Sequence, residues 1–113
     1  MRESQFQAQL IVKLKKIFPG CVVLKNDPNY IQGFPDLTVF YEDRWACLEV
    51  KKDERASHQP NQDYYIRYLN EMSFARFVCP ENEQEVLDEL QHALRPRGKA
   101  RLSERKQIPL DKL

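Results

Sequence analysis

Asp36, Glu49 and Lys51 are the residues whose types and spacing suit a metal-assisted reaction. Asp36 precedes a short apolar segment, Leu37–Tyr41, and Glu49 and Lys51 close a second one, Trp45–Val50, with the polar Glu42-Asp43-Arg44 between them. Two apolar runs around a polar turn predict a β-hairpin. A two-residue turn at Glu42-Asp43 and a four-residue loop from Tyr41 to Arg44 both pair residues whose numbers sum to 85, which sets Asp36 opposite Glu49. Opposed residues share a face with Cβ atoms ~4.5–5.5 Å apart, so two carboxylates converge at the open end of the hairpin. Lys51 lies two residues past Glu49 and shares its face, whereas Ala46, Leu48 and Val50 alternate to the other face as the better core set. Paired carboxylates repel unless a proton or cation lies between them, and hard oxygen ligands suit Mg²⁺ or Mn²⁺. Lys51 can then orient a water or stabilise charge developing on a phosphate.

The elements that must hold these residues follow from periodicity. Phe6, Leu10, Leu14 and Ile17 make one stripe of a helix over residues 3–18, ended by Pro19-Gly20. Residues 21–25 read as a strand, Asn26-Asp-Pro-Asn29 as a turn, and the hairpin follows. Pro60 suits a first helical turn, and Tyr65, Ile66, Leu69 and Met72 continue a helix over 60–71. A fourth strand covers Phe74–Cys79. Asn82 with Glu85 resembles a capping box before a helix striped by Val86, Leu87, Leu90 and Leu94. The helix between strands three and four permits a parallel crossover, so the expected fold is α/β with a mixed four-stranded sheet flanked by helices.

Two polar residues lie in line with buried stripes: Glu3 between Leu10 and Ile17 in helical angle, and Gln62 with Ile66 and Leu69. Either is placed to overhang the same site. Gly33-Phe-Pro-Asp36, followed after twelve residues by Glu49-Val-Lys51, resembles the signature of the PD-(D/E)xK nuclease superfamily. The leading helix with Glu3 and Gln7 and the later Gln-bearing helix resemble most closely its VRR-NUC and Holliday-junction-resolvase-like branches. The resemblance implies a restriction-endonuclease-like αβββαβ core. It also implies that Asp36, Glu49, the Val50 carbonyl and Glu3 ligate Mg²⁺ (or Mn²⁺), that Lys51 is the catalytic lysine, and that Gln62 is the glutamine following the core motif. Ser57 stands further from Gln62 than the S-x-x-Q of VRR-NUC proteins, so Gln59 competes for that place. The function implied is Mg²⁺-dependent hydrolysis of DNA phosphodiesters, with branched DNA such as a Holliday junction as substrate and a homodimer presenting two sites. The alternative is a catalytically inactive nucleic-acid-binding module of the same fold. Taken singly, Asp36 is an ordinary turn residue and Glu49-Val-Lys51 an ordinary solvated strand face; their pairing favours a site.

The rest of the chain bounds these readings. Its 113 residues suit one domain, with 42% apolar and 31% charged residues as in soluble globular proteins. No apolar run approaches the ~20 residues of a membrane span or a signal core. Cys21, Cys47 and Cys79 form no C-x-x-C spacing, which argues against a disulfide framework or zinc site and for the cytoplasm, and the small size suits, by resemblance only, a phage-encoded enzyme acting in its host. Residues 1–94, the expected nuclease domain, carry 11 basic and 15 acidic groups; 95–113, a basic C-terminal tail, carry 7 and 2. Lys13, Lys16 and Lys52 in the body and Arg95, Arg97, Lys99 and Arg101 in the tail are the candidate phosphate contacts. His58 and His92 look exposed and have no partner at ligand spacing. Tyr64 reads as open, with Tyr65 and Tyr68 as core or half-buried; all three are candidates to stack on splayed bases.

Overall fold

A computed structural model describes residues 1–96, and residues 97–113, with Arg97, Lys99 and Arg101, lie outside them. The elements in order are α1 (Glu3–Ile17), β1 (Val22–Lys25), β2 (Leu37–Tyr41), β3 (Arg44–Val50), α2 (Pro60–Met72), β4 (Phe74–Val78) and α3 (Glu83–Ala93). They form a mixed sheet in the order β1-β2-β3-β4, antiparallel across the first two pairings and parallel across the last. The hairpin pairs Leu37 with Leu48 and Tyr41 with Arg44, leaving a two-residue turn in which Glu42 adopts a left-handed φ of 54°. This is the expected register, and it places Asp36 one step beyond the last pair, level with Glu49.

Strand alternation divides the apolar residues between two faces. Leu37, Val39, Ala46, Leu48, Val50, Phe74 and Val78 pack with Phe6, Leu10 and Leu14 of α1 and Val86, Leu87 and Leu90 of α3. On the opposite face Cys47 and Ala75 pack beneath Leu69, Ile66 and Tyr65 of α2, joined by Phe34 and Trp45. The result is an α/β/α arrangement with two helices on one side and one on the other. The helix between β3 and β4 thus does more than connect parallel strands. It roofs the face that carries Glu49 and Lys51, which are 4% and 9% exposed. The end of that face carrying Glu49 and Lys51 is therefore buried, unlike an ordinary solvated strand face.

Smaller expectations also change. Asn82 sits at the N-cap of α3 without a side-chain cap bond. Its amide turns back to the end of β4, accepting from Cys79 N at 2.8 Å and donating to Phe77 O at 3.1 Å. Tyr68 is exposed, because α2 meets the sheet through Ile66 and Leu69 and leaves Tyr64 and Tyr68 on its outer side. Cys79 falls just outside β4, and all three cysteines are free thiols. Among the described residues no helix is long and apolar enough to cross a membrane.

Candidate active site

The loop from Asn26 to Asp36 is built to deliver its last residue. Asn26 N–H donates to Asp36 O at 2.8 Å, extending the β1–β2 ladder by one rung. The Asn26 side chain donates to Pro35 O at 2.9 Å and Thr38 Oγ1 at 3.0 Å, closing the loop's mouth. Gly33 has φ +85°, and a Cβ there would lie 2.3 Å from Asn61 Cβ in the first turn of α2. Only glycine permits both the backbone conformation and the close approach. The Gly33-Phe-Pro-Asp36 sequence thus docks the loop on α2 while Phe34 meets Tyr65 edge-on at 5.6 Å. Asp36 Oδ2 then accepts from Val50 N–H at 2.8 Å. In an extended strand a residue's N–H and C=O point to the same edge, so Val50 presents its carbonyl toward Asp36 while its side chain lies in the α1/α3 core.

Gln62 ties the remaining groups together. Pro60 opens α2, and three positions after the N-cap Gln59 the Gln62 side chain folds back to accept from Gln59 N–H at 3.0 Å. Its Oε1 also accepts from Lys51 Nζ at 2.8 Å, and its Nε2 donates to Glu49 Oε2 at 2.9 Å. Two donors on Oε1 fix the amide's orientation, since the flipped amide would face an ammonium with an NH₂ group. Lys51 Nζ further donates to Ser57 O at 3.0 Å and stands 3.9 Å from Glu49 Oε2. Its backbone N–H continues the ladder to Val78 O at 2.8 Å. Gln62, not Gln59, meets Lys51 and Glu49, because an N3 side chain reaches back over the helix start while an N-cap side chain here stays exposed.

Burial, and after it the negative charge of Asp36, push the Glu49 carboxyl up to about 8 against the attraction of Lys51. Burial and the neighbouring Asp36 charge both favour the protonated form of Glu49. Among the described residues no three His, Cys, Asp or Glu side chains gather as a metal-holding group. Glu3 is exposed and stands at the rim of an open cleft that it shares with Lys51, Lys52 and Arg55. It begins α1 a turn before Phe6, the first residue the core holds down.

The candidate phosphate contacts are scattered. Lys13 Nζ is paired to Glu83 Oε1 at 2.6 Å, joining α1 to α3. Lys16 is exposed about 20 Å along α1 from Glu3, at 1.5 Å per residue. Lys52 and Arg95 are both exposed, and only Lys52 lies at the cleft beside Lys51. Arg55 at the same cleft was not singled out by sequence, and neither was the His58–Asp63 pair, whose Nδ1 and Oδ1 lie 3.0 Å apart. A spacing of five carries no periodic signal that would have found the pair. Comparison with family models, with curated proteins and with solved structures finds no match to this chain.

Proposed function

We propose that the protein is a metal-dependent endonuclease of the PD-(D/E)xK type, with a restriction-endonuclease-like core, that hydrolyses DNA phosphodiesters. The observation that carries the reading is the meeting of Asp36, held by the Val50 N–H, with Glu49 and Lys51, which Gln62 joins, at the open end of one hairpin. Its donor set fits Mg²⁺ or Mn²⁺: the hard carboxyl oxygens of Asp36 and Glu49 and the Val50 carbonyl, where the crowding that raises the Glu49 pKa favours a proton or a cation between the two carboxyls. Asp36, Glu49 and Val50 would hold the ion, and Glu3, on the rim of the cleft that Lys51 lines, would act only through water. When bound, it would supply charge neutralisation at phosphate and acidify a water.

The chain's own groups account for the remaining requirements. Lys51 brings a fixed positive charge to the attacked phosphate, held by two neutral oxygens so that one N–H direction stays available for a water or a phosphate oxygen. Gln62 sets the spacing between that charge and Glu49. Asp36 keeps the strand end in register by accepting from Val50 N–H. Lys52 and Arg55, on the rim of the cleft shared with Lys51, are suited to hold the neighbouring phosphates. The preference for branched DNA and a homodimer rests on the likeness of the motifs.

Cleavage of plasmid, linear duplex, single-stranded and four-way-junction DNA, with Mg²⁺, Mn²⁺, Ca²⁺ or chelator, tests the reading. Cutting is expected with Mg²⁺ or Mn²⁺, with binding alone in Ca²⁺. Binding without cutting under every ion would favour an inactive nucleic-acid-binding module, and absence of both would remove the nuclease reading altogether.

A further inference from the structure

We propose that His58 is the proton donor to the sugar oxygen that leaves phosphorus, oriented by Asp63 and Phe77. The inference rests on the nuclease reading. The His58 ring stacks on Phe77 at 3.9 Å between centroids and 16° between planes. Phe77 is paired in register with Glu49 across the parallel β3–β4 ladder, so both side chains share the α2 face. Adjacent strands lie ~4.8 Å apart, which stands the imidazole one strand over from the Glu49 carboxyl. His58 and Lys51 line one cleft. Lys51 Nζ also holds the carbonyl of Ser57, pinning the segment that carries the histidine to the site.

Three constraints thus act on a side chain that sequence marked as unpartnered. Phe77 fixes the ring plane, Asp63 fixes the rotation by engaging Nδ1, and the Ser57–Lys51 bond fixes the backbone. Nε2 meets no hydrogen-bond partner among the described residues and is the nitrogen left for a substrate. A carboxylate on Nδ1 and an open Nε2 is the arrangement of a histidine that exchanges protons. The other ionisable groups of the cleft are Lys51, Asp53 and Glu54 from the segment after β3, Cys79 and Glu81 after β4, and Glu85 of α3. Carboxylates dominate this side. The phosphates of the substrate are therefore better placed over the rim with Lys52 and Arg55, and the leaving sugar oxygen toward His58.

In the step assigned to His58, water adds to phosphorus as the P–O bond to the leaving sugar oxygen breaks. That oxygen takes the proton from Nε2 of the imidazolium, the attacking water gives a proton to solvent, and His58 is reprotonated from solvent before the next turnover. The test replaces the leaving oxygen by sulfur in a bridging phosphorothiolate, at the 3′ or 5′ side that product analysis identifies. A thiolate leaves without a proton. With Mn²⁺, His58→Ala should slow cleavage of the oxygen-linked DNA 100-fold or more and of the sulfur-linked DNA less than fivefold. Asp63→Asn, which keeps the fold's polar contact, should give a smaller loss with the same selectivity. Imidazole ¹⁵N shifts of the protein without DNA should report an Nδ1-protonated His58 that changes in Asp63→Asn. Equal losses on both substrates, or a His58→Ala loss under threefold on oxygen-linked DNA, would overturn the assignment and leave the nuclease reading standing. Inactivity of the wild-type protein under every divalent ion would overturn both.

Discussion

Glu49 is where burial and charge oppose each other most directly. Its carboxyl is pushed up to about 8 from an ordinary 4.5, first by burial and then by Asp36. The folded protein therefore keeps a proton that the unfolded chain releases as pH rises above the ordinary value. Stability contributed by the protonated form is complete below pH ~4.5 and is lost as pH rises through ~8, a change of order 2–4 kcal/mol. Chemical denaturation at pH 5 and pH 8.5 should show this fall in the wild type and a flatter response in Glu49→Gln. Parallel pH dependences in the two proteins would refute it. Asp36 calls for a different substitution, because its Oδ2 accepts from the Val50 N–H. Asp36→Ala strands that donor and should cost ~1–3 kcal/mol, while Asp36→Asn retains an acceptor and should stay nearer wild-type stability. Both should lose Mg²⁺-dependent cleavage by at least 100-fold in a plasmid assay, since neither restores a charged ligand.

Among the elements, α2 decides the site because its first turn is both a docking surface and the source of Gln62. Gly33 reaches that turn so closely that a methyl group would overlap Asn61. Gly33→Ala combines a left-handed φ with overpacking and should destabilise by ~2–4 kcal/mol, read as a lower denaturant midpoint. It should also lower activity in the folded fraction by moving Gln62 away from Lys51. Unchanged kcat at full folding would show that α2 yields without consequence. The β2–β3 turn supplies the control: Glu42 holds φ 54° at the far end of the hairpin. Glu42→Gly removes that strain and should stabilise by ~0.5–1 kcal/mol with cleavage unaffected.

For the molecule as a whole, the proposed nuclease function raises the question of which cations would supply affinity for DNA. The sheet and helices hold the acidic site in a body of net negative charge, and the tail from residue 95 carries 7 of the 18 basic residues. Each cation that neutralises a phosphate contributes ~0.9 to the slope of log affinity against log salt on duplex DNA. Truncation after Leu94 should flatten that slope and weaken binding to linear and branched DNA alike, because phosphate contacts position without specifying. Turnover at saturating DNA and low salt should change far less. An unchanged slope would assign affinity to the body's own cations, and an unfolded product would show that Leu102, Ile108, Leu110 and Leu113 belong to a core.

Short-range rules made the hairpin legible from the sequence alone. A turn of two residues sets the parity of the ladder, and period-two alternation then puts Glu49 and Lys51 together and Asp36 opposite, with no knowledge of what packs where. The stripes of α1 and α3 were legible for the same reason, as was α2 from its proline. Tertiary structure decided what those faces meet. Glu49 and Lys51 became buried because α2 crosses back over their face. Gln62 prevailed over Gln59 because only the N3 side chain, not the N-cap, reaches both Lys51 and Glu49. Glu3 remained on the rim, since helical angle places a residue on a side but Glu3 stands at the exposed start of α1, ahead of Phe6 where the core first takes hold. His58 stacks on Phe77, a neighbour nineteen positions away that local spacing does not signal, and so lines a cleft with Lys51.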